Sequence, residues 1–313
     1  MLAPALVRLI EDTRIDDALL AAEFRGRVLE ERSPQRLVAA LARTLYAEAH
    51  AGLRTDVVAR PSAWSDAALE QQLGDAMPRG RSRVRAALLA ETDGVVVVDL
   101  GGVHVSVAAD SDRIEAREGD EIVLVVPTHW PRQSPGYFSV TSPTRGFRAI
   151  GPIVRVYVQS ADAELALASW RAVGTALGDR DIPWRAKALA SATSYPRNDA
   201  IVLYLPRPAW QHLDEILGVL AGTGASGGSC GAAFVNHRSP GVAVAFEPVD
   251  VRPTYAGLSF GQHRSRLVAE ALVAASRDRT DPAVAVRAAL VSGAVDATAP
   301  WRNVSSPMLF GLS

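Results

Sequence analysis

One lysine stands in a chain that is otherwise rich in arginine, and this contrast points to chemistry at its position. Lys187 is the only lysine, since the other 32 of the 33 Lys and Arg residues are arginine. Arginine stays protonated in proteins, whereas a lysine amine becomes a base when its surroundings favour the neutral form. Lys187 is therefore the best candidate for a general base. The alternative is compositional, because usage rich in Ala and Arg is typical of a GC-rich genome in which few lysine codons remain.

A histidine and two arginines form a second candidate cluster. His263, Arg264 and Arg266 lie in SFGQHRSRL, where the pattern predicts the start of a helix. Backbone N–H groups at a helix N-terminus attract anions, and these three side chains would strengthen that attraction. A solvated helix end that binds nothing is an equally open interpretation. Of the other histidines, His104 and His212 are expected to be structural or exposed.

The common nucleotide-binding and hydrolase motifs are missing from the sequence. It contains no GxGxxG after a strand, no GxxxxGK[ST] loop, no GxSxG elbow and no HExxH. The stretch GTGASGGSCG (222–231) is glycine-rich but lacks lysine, so it predicts a flexible loop. Cys230 in that loop is the only cysteine, which excludes a disulfide within the chain and a zinc ribbon. A nucleophilic role for this thiol would need a base that the sequence does not identify.

Period-two alternation predicts where several cations point. Side chains of a strand alternate between its two faces, so Arg155 and Tyr157 share one face of IVRVYV and the valines share the other. In PWRAKALA, Arg185 and Lys187 share the face opposite the tryptophan and the alanines, and in AIVLYL Tyr204 lies on one face with a valine. A sheet face with cations and hydroxyls suits an anionic ligand such as phosphate. A solvated face that simply carries charge is the alternative.

The first half of the chain predicts helices followed by a small sheet. Residues 1–90 read as helices, among them SPQRLVAALARTLYAEAHAG with Ser33 as its N-cap. Residues 91–150 predict an antiparallel sheet with a hairpin turn at Gly101 and Gly102. We expect residues 1–150 to form one domain, which is a candidate for docking a peptide or a kinase.

The second half predicts a ferredoxin-like unit in an α+β protein. Its patterns follow the order β-α-β-β-α-β, and two helices complete the chain at 259–275 and 281–293. The strand patterns lie at 153–158, 183–190, 200–205, 232–235 and 241–248, and the helix patterns at 162–177 and 208–222. Such a sheet leaves one face open, and His237 continues one face of the strand AAFVNHR. We expect residues 151–313 to form the domain that carries the site.

Composition and charge limit the classes of partner that the sequence predicts. The formal net charge is −1 and the pI is about 6.6, so nothing suggests a nucleic-acid partner. The apolar run at the N-terminus is broken by Arg8, Glu11 and Asp12, which is unlike a signal peptide. No stretch approaches the roughly 20 apolar residues of a membrane span. The sequence therefore predicts a soluble cytoplasmic protein without a membrane partner.

Two segments carry a resemblance to a known family. YPRNDAIVLYLPRPAW (195–210), preceded by IVRVYV and WRAKAL, resembles the signature of the HopA-type effector family. SFGQHRSRLVAEAL (259–272) resembles a second hallmark, while SPGYFSV and LARTLYAEAHAG fit the N-terminal half. Members of the family are type III secretion effectors or lyases of class V lanthipeptide and thioamitide biosynthesis. The resemblance extends over most of the chain.

The resemblance implies an elimination reaction. In these pathways a kinase of the aminoglycoside-phosphotransferase type phosphorylates Ser or Thr of a ribosomally made precursor peptide. The lyase then eliminates phosphate and leaves dehydroalanine or dehydrobutyrine. The expected partners are thus the phosphorylated precursor peptide and that kinase, and neither a metal nor an organic cofactor is expected.

Roles follow from the chemistry of phosphothreonine lyases in a separate effector family. By that analogy Lys187 removes the α-proton, His263 or His237 is the acid, and Tyr195 donates to the developing enolate. The expected phosphate-binding and substrate-binding residues are Arg155, Arg185, Arg197, Tyr204, Arg238, Arg264 and Arg266. Two other functions stay open: a non-catalytic module that binds a phosphopeptide or leader peptide for a kinase, and an effector that acts on host proteins.

Overall fold

The chain folds into two units, each assembled from separate segments. The computed structural model describes residues 1–53, 66–100, 104–147, 151–178, 180–223 and 231–309. Unit 1 comprises Met1–Val58, Pro196–Asp199 and Gly228–Ser313, and unit 2 comprises Ala59–Tyr195 and Ala200–Gly227. The sequence-based division at residue 150 stays a prediction.

Unit 1 begins with a helix and a three-stranded antiparallel sheet. Its first elements are α1 (Pro4–Glu11), β1 (Thr13–Ile15), β2 (Ala21–Phe24) and β3 (Arg27–Glu30). Arg25 and Gly26 have φ values of 52° and 80°, the left-handed conformation of a two-residue hairpin turn. The prediction of helices throughout residues 1–90 is therefore wrong here. Strands of three or four residues are too short to show a period of two.

The helices of unit 1 begin at capping residues, and the sequence predicts one of them, Ser33. α2 (Pro34–Thr44) begins after Ser33, whose Oγ accepts a hydrogen bond from Arg36 N at 3.3 Å, and it continues as a π-helix over Leu45–His50. α6 (Phe260–Asp278) begins with a capping box between Ser259 and Gln262. α6 packs on α2 and on α7 (Pro282–Ser292). The two C-terminal helices that the sequence predicts are thus confirmed.

Unit 2 contains a five-stranded antiparallel sheet after α3 (Ala67–Asp75). Its strands are β4 (Arg81–Thr92), β5 (Val95–Asp99), β6 (His104–Ala108), β7 (Ile114–Glu118) and β8 (Glu121–Pro127), in the order β6-β5-β4-β8-β7. Val96, Val98 and Ile122 are fully buried on its apolar face. The sheet begins ten residues earlier than predicted, because the alternation in RSRVRAA has the period of a strand. The predicted turn at Gly101 and Gly102 lies outside the described residues.

The second sheet of unit 2 carries the candidate residues. Its strands are β9 (His129–Ser134), β10 (Tyr137–Thr141), β11 (Ile153–Ser160), β12 (Arg185–Leu189) and β13 (Arg197–Pro206), in the order β11-β13-β12-β10-β9. α4 (Ala163–Gly178) follows β11 and packs on it and on α5 (Leu213–Ala221). β9 and β10 thus belong with the ferredoxin-like strands, whereas the sequence placed residues 91–150 in one sheet.

The last two strands form a hairpin in unit 1. β14 (Asn236–Ser239) pairs antiparallel with β15 (Val242–Phe246), so the predicted order β-α-β-β-α-β is confirmed with one added strand. The predicted strand at 232–235 is wrong: Ala232 and Phe234 are buried without being in a strand. A short buried apolar run resembles a strand in sequence whatever its backbone does. None of the helices in the described parts of the chain has the length and apolar character that crossing a bilayer requires.

Candidate functional site

The antiparallel register places the candidate residues of unit 2 on one sheet face. On β12, Lys187 pairs with Ser139 of β10 and Val202 of β13, and Arg185 pairs with Tyr204. Directly opposite residues of neighbouring strands point to the same face. The predicted sharing of a face by Arg185, Lys187 and Tyr204 is therefore confirmed. We call this surface the polar face; it comprises Tyr137, Ser139, Thr141, Arg155, Tyr157, Arg185, Lys187 and Tyr204.

The aromatic ring of Tyr137 lies beside Lys187. The ammonium Nζ is 4.1 Å from the centroid of the Tyr137 ring, within the range of a cation–π contact. Tyr137 is buried and packs with Leu189 and Tyr195, and the Tyr195 hydroxyl donates to the Leu189 carbonyl at 3.1 Å. Among the described residues, Lys187 makes neither a hydrogen bond nor an ion pair. The side chain of Lys187 is thus half-buried against an aromatic ring and has no ion-pair partner among the described residues.

Arg185 lies between two aromatic rings. Its guanidinium carbon is 5.0 Å from the Phe147 ring centroid and 4.3 Å from that of Tyr204. Arg155 lies 4.9 Å from the Tyr204 ring and donates to the Tyr157 hydroxyl at 3.4 Å. Aromatic rings contact the flat faces of a guanidinium, so its N–H groups, which lie in its plane, can still donate hydrogen bonds. No hydrogen bond or ion pair joins those N–H groups of Arg185 to the part of the chain that the structure describes.

The polar face is less open than the sequence predicts. Arg155, Tyr157 and Tyr204 are only 6%, 3% and 4% exposed, and Arg185 and Lys187 are half-buried. The expectation of an open ferredoxin-like face is therefore wrong for the strands β11 and β13. The stems of long cations and the rings of aromatics cover each other, which sequence alternation alone does not reveal. Arg155 is accordingly a buried residue that packs against the ring of Tyr204.

In unit 1, both ring nitrogens of His263 are occupied. Its Nε2 lies 3.0 Å from Asp250 Oδ2 and its Nδ1 lies 2.8 Å from Nη1 of Arg264. A guanidinium only donates, so Nδ1 is the acceptor and Nε2–H donates to the carboxylate. Burial, together with the charge of Arg264, lowers the pKa of His263 to about 4. The hydrogen bonds from Arg252 hold the pKa of Asp250 well below its usual range.

The arginines that accompany His263 bind protein groups. Arg264 is fully buried and donates to the carbonyl of Pro300 at 2.9 Å and to Asn303 Oδ1 at 3.0 Å. Arg266 donates to Glu270 at 2.8 Å and to the carbonyl of Thr254 at 2.9 Å. At the start of α6, His263 and Arg264 thus lie in a buried network, whereas Arg266 is partly exposed. The phosphate-binding roles of Arg264 and Arg266 stay predictions.

The YPRND hallmark connects to the π-helix within unit 1. Arg197 forms a two-point ion pair with Asp199 at 2.7 and 2.9 Å, and its Nη2 also donates to the Tyr46 hydroxyl at 3.2 Å. Asn198 donates from Nδ2 to the carbonyl of His50 at 2.9 Å. These contacts hold the first residues of β13 against the π-helix, which gives the hallmark a structural role. The role of Arg197 in phosphate binding stays a prediction.

The remaining candidates, His237 and Arg238, belong to unit 1. His237 and Arg238 lie exposed on β14, and His237 Nε2 is 3.2 Å from the carbonyl of Ala232. Lys187 belongs to unit 2 and His263 to unit 1, so the two residues of the predicted base–acid pair are in different units. Cys230 lies outside the described residues. Within the described ranges, no three His, Cys, Asp or Glu side chains come together as metal ligands.

Some side chains on or beside the polar face are not among the candidates that the sequence predicts. Tyr137 and Ser139 alternate in GYFSVTS and so share a face, a signal that was present but carried no charge. Phe147 lies in the segment after β10, where no periodicity indicates that it contacts Arg185.

The buried His263 predicts acid sensitivity of the fold. Its folded pKa of about 4 lies below the ordinary 6.5, so the unfolded chain binds more protons between these pH values. The free energy of unfolding should therefore fall as the pH is lowered from 6.5 to 4, by on the order of 3 kcal/mol from this group. Urea unfolding at several pH values measures this slope.

His263→Gln is the matched variant, because an amide can accept from Arg264 and donate to Asp250 without titrating. The variant should lose most of the slope between pH 6.5 and 4. Equal slopes in both proteins would contradict the assignment, as would titration of the His263 ring near pH 6.5 in an NMR experiment on the wild type.

The fold and the polar face define an α+β protein whose sheet displays half-buried cations beside aromatic rings. The chain belongs to the HopA1 effector protein family, because the model of that family matches residues 128–302, more than half of the sequence.

The solved structures that are similar to this chain include two effector proteins of Pseudomonas syringae. The one from pathovar tomato strain DC3000 is 14% identical, with a TM-score of 0.43, and the match covers 86% of this chain and 96% of that one. The one from pathovar syringae strain 61 is 12% identical, with a TM-score of 0.42, and the match covers 87% and 99%. A search of the curated proteins found no match to this chain.

Proposed function

We propose that the protein is a lyase that eliminates phosphate from phosphoserine or phosphothreonine in a ribosomally made precursor peptide. The observation that carries the proposal is the pair Arg185 and Lys187, two half-buried cations on one face without a polar partner in the described residues. Buried polar groups normally have partners, and an unpaired charge is costly. Two adjacent cations of this kind favour a ligand with two negative charges, such as a phosphomonoester.

The proposed reaction is a β-elimination. The ammonium of Lys187 first releases a proton to solvent, and the neutral amine then takes the α-proton. The electron pair of the Cα–H bond becomes the Cα=Cβ double bond. The Cβ–O bond breaks, and its electrons leave with inorganic phosphate. Arg185 donates to the phosphate oxygens as negative charge develops on them. The products are dehydroalanine or dehydrobutyrine and inorganic phosphate.

The proposal does not assign the general acid that would protonate the departing phosphate. His263 is neutral near pH 7 and its one ring N–H donates to Asp250, which makes it a poor proton donor to a substrate. His237 is exposed but lies on β14, in the other unit from Lys187. Arg185 alone can stabilise the departing phosphate by charge. The assignment of either histidine as the acid stays a prediction.

Incubation of the protein with the phosphorylated precursor peptide tests the proposal. Inorganic phosphate should appear, and the peptide should lose about one phosphoric acid per modified site. The reaction is run with and without the aminoglycoside-phosphotransferase-like kinase that we propose as its partner. Intact phosphopeptide after long incubation in both conditions would rule out the lyase.

A non-catalytic phosphopeptide-binding module is the second candidate. The ring of Tyr137 beside Nζ stabilises a positive charge on Lys187, and a charged lysine binds phosphate without removing a proton. This function predicts affinity for the phosphopeptide without any product. The family description also favours an effector that acts on host proteins, and elimination of phosphate from a host phosphoprotein instead of the precursor peptide would identify that case.

A further inference from the structure

A third unused polar group lies on the polar face beside Lys187. Ser139 is 2% exposed, and its hydroxyl makes no hydrogen bond with the described residues. The hydroxyls near it are used: Thr141 Oγ1 donates to the carbonyl of Thr128 at 3.4 Å, and Ser142 Oγ accepts from Arg145 N at 3.2 Å. A hydroxyl that makes no hydrogen bond with the described residues, directly opposite one of two unpaired cations, is available to donate to a ligand.

The two cations extend in different directions from β12. The ammonium of Lys187 lies against Tyr137, which is two residues from Ser139 on β10. The guanidinium of Arg185 lies against Tyr204 of β13, the strand on the other side of β12 from β10. Between them the face is formed by small side chains, because Lys187 is flanked by Ser139 and Val202. The Ser139 hydroxyl therefore lies on the same sheet face as the two positive charges.

We propose that Ser139 binds the substrate phosphate as the third donor of this site. Its Oγ–H donates to one phosphate oxygen, while Arg185 and Lys187 interact with the others. A phosphomonoester has three non-bridging oxygens, which matches two cations and one hydroxyl better than a carboxylate with two oxygens does. The identity of the ligand as a phosphoester rests on the proposed function, whereas the anion site rests on the three unpaired groups.

Calorimetric titration of the full chain with inorganic phosphate tests this assignment. Ser139→Ala removes only the hydroxyl and should weaken phosphate binding about tenfold. Ser139→Thr keeps the hydroxyl and should restore most of the affinity. Ser82→Ala is the matched control, because Ser82 is also a buried serine of unit 2 without a partner in the described residues, but it lies on β4. Its phosphate affinity should equal that of the wild type, and circular dichroism confirms that each variant is folded.

The outcomes separate this inference from the proposed function. Equal phosphate affinity of Ser139→Ala and the wild type, or no phosphate binding by the wild type, would overturn the role of Ser139. Phosphate binding that depends on Ser139, without elimination from the phosphopeptide, would support the site and reject the lyase. Normal elimination by Ser139→Ala with an unchanged KM would support the lyase and reject the role of Ser139.

Discussion

Lys187→Arg should abolish the elimination of phosphate while the phosphopeptide still binds with an affinity within a few-fold of the wild type. Arginine keeps the positive charge and can keep the contact with the Tyr137 ring, but its guanidinium does not give up a proton near neutral pH. Loss of a general base costs roughly 100- to 10,000-fold in rate. Phosphate release under single-turnover conditions and calorimetric binding of the phosphopeptide measure the two properties separately.

An Arg–Lys exchange elsewhere in unit 2 is the control for this experiment. Arg171 is exposed on α4, so Arg171→Lys should leave both elimination and binding unchanged. Lys187→Ala should also lose elimination, with further loss of binding because the charge is removed. Elimination by Lys187→Arg at the rate of the wild type would show that another group is the base. A wild type that binds the phosphopeptide and never eliminates phosphate would favour the binding module.

The sequence predicts the orientation of the polar face because strand alternation depends on the backbone alone. The Arg185 and Lys187 positions follow from a period of two, and the antiparallel register confirms that they share a face with Tyr204. The same alternation in RSRVRAA predicts the strand β4. It also places Arg197 and Asp199 on one face of β13, where their opposite charges pair. The sequence pattern alone is sufficient to predict these features.

The residues that surround each cation cannot be predicted from the sequence pattern. Phe147 contacts Arg185 from a segment without periodicity, and Asp250 contacts His263 from a loop outside the hallmark. Such contacts depend on how distant segments pack, which no local pattern records. For this reason the sequence treats His263 and Lys187 as equal partners in chemistry, whereas the structure shows one as a buried, fully bonded ring and the other without a polar partner in the described chain.

Arg264→Leu should destabilise the fold by about 3–5 kcal/mol, the usual cost of removing one partner from a buried charged network. Its guanidinium is fully buried and donates to His263 Nδ1, the Pro300 carbonyl and Asn303 Oδ1. Leucine fills similar space but leaves all three acceptors without their donor, and buried acceptors without a partner are costly. Urea unfolding of both proteins at pH 7 measures the difference in the free energy of unfolding.

Arg277→Leu on the same helix is the matched control, because Arg277 is exposed and pairs only at the surface with Asp278. That variant should change the free energy of unfolding by less than about 0.5 kcal/mol. The comparison also decides what the second hallmark does. If Arg264→Leu is as stable as the wild type but fails to bind inorganic phosphate, the structural assignment is wrong and Arg264 is a phosphate ligand. If stability falls while the folded fraction binds phosphate normally, the hallmark residue Arg264 holds the end of α6 in place, and the chemistry belongs to the polar face around Lys187.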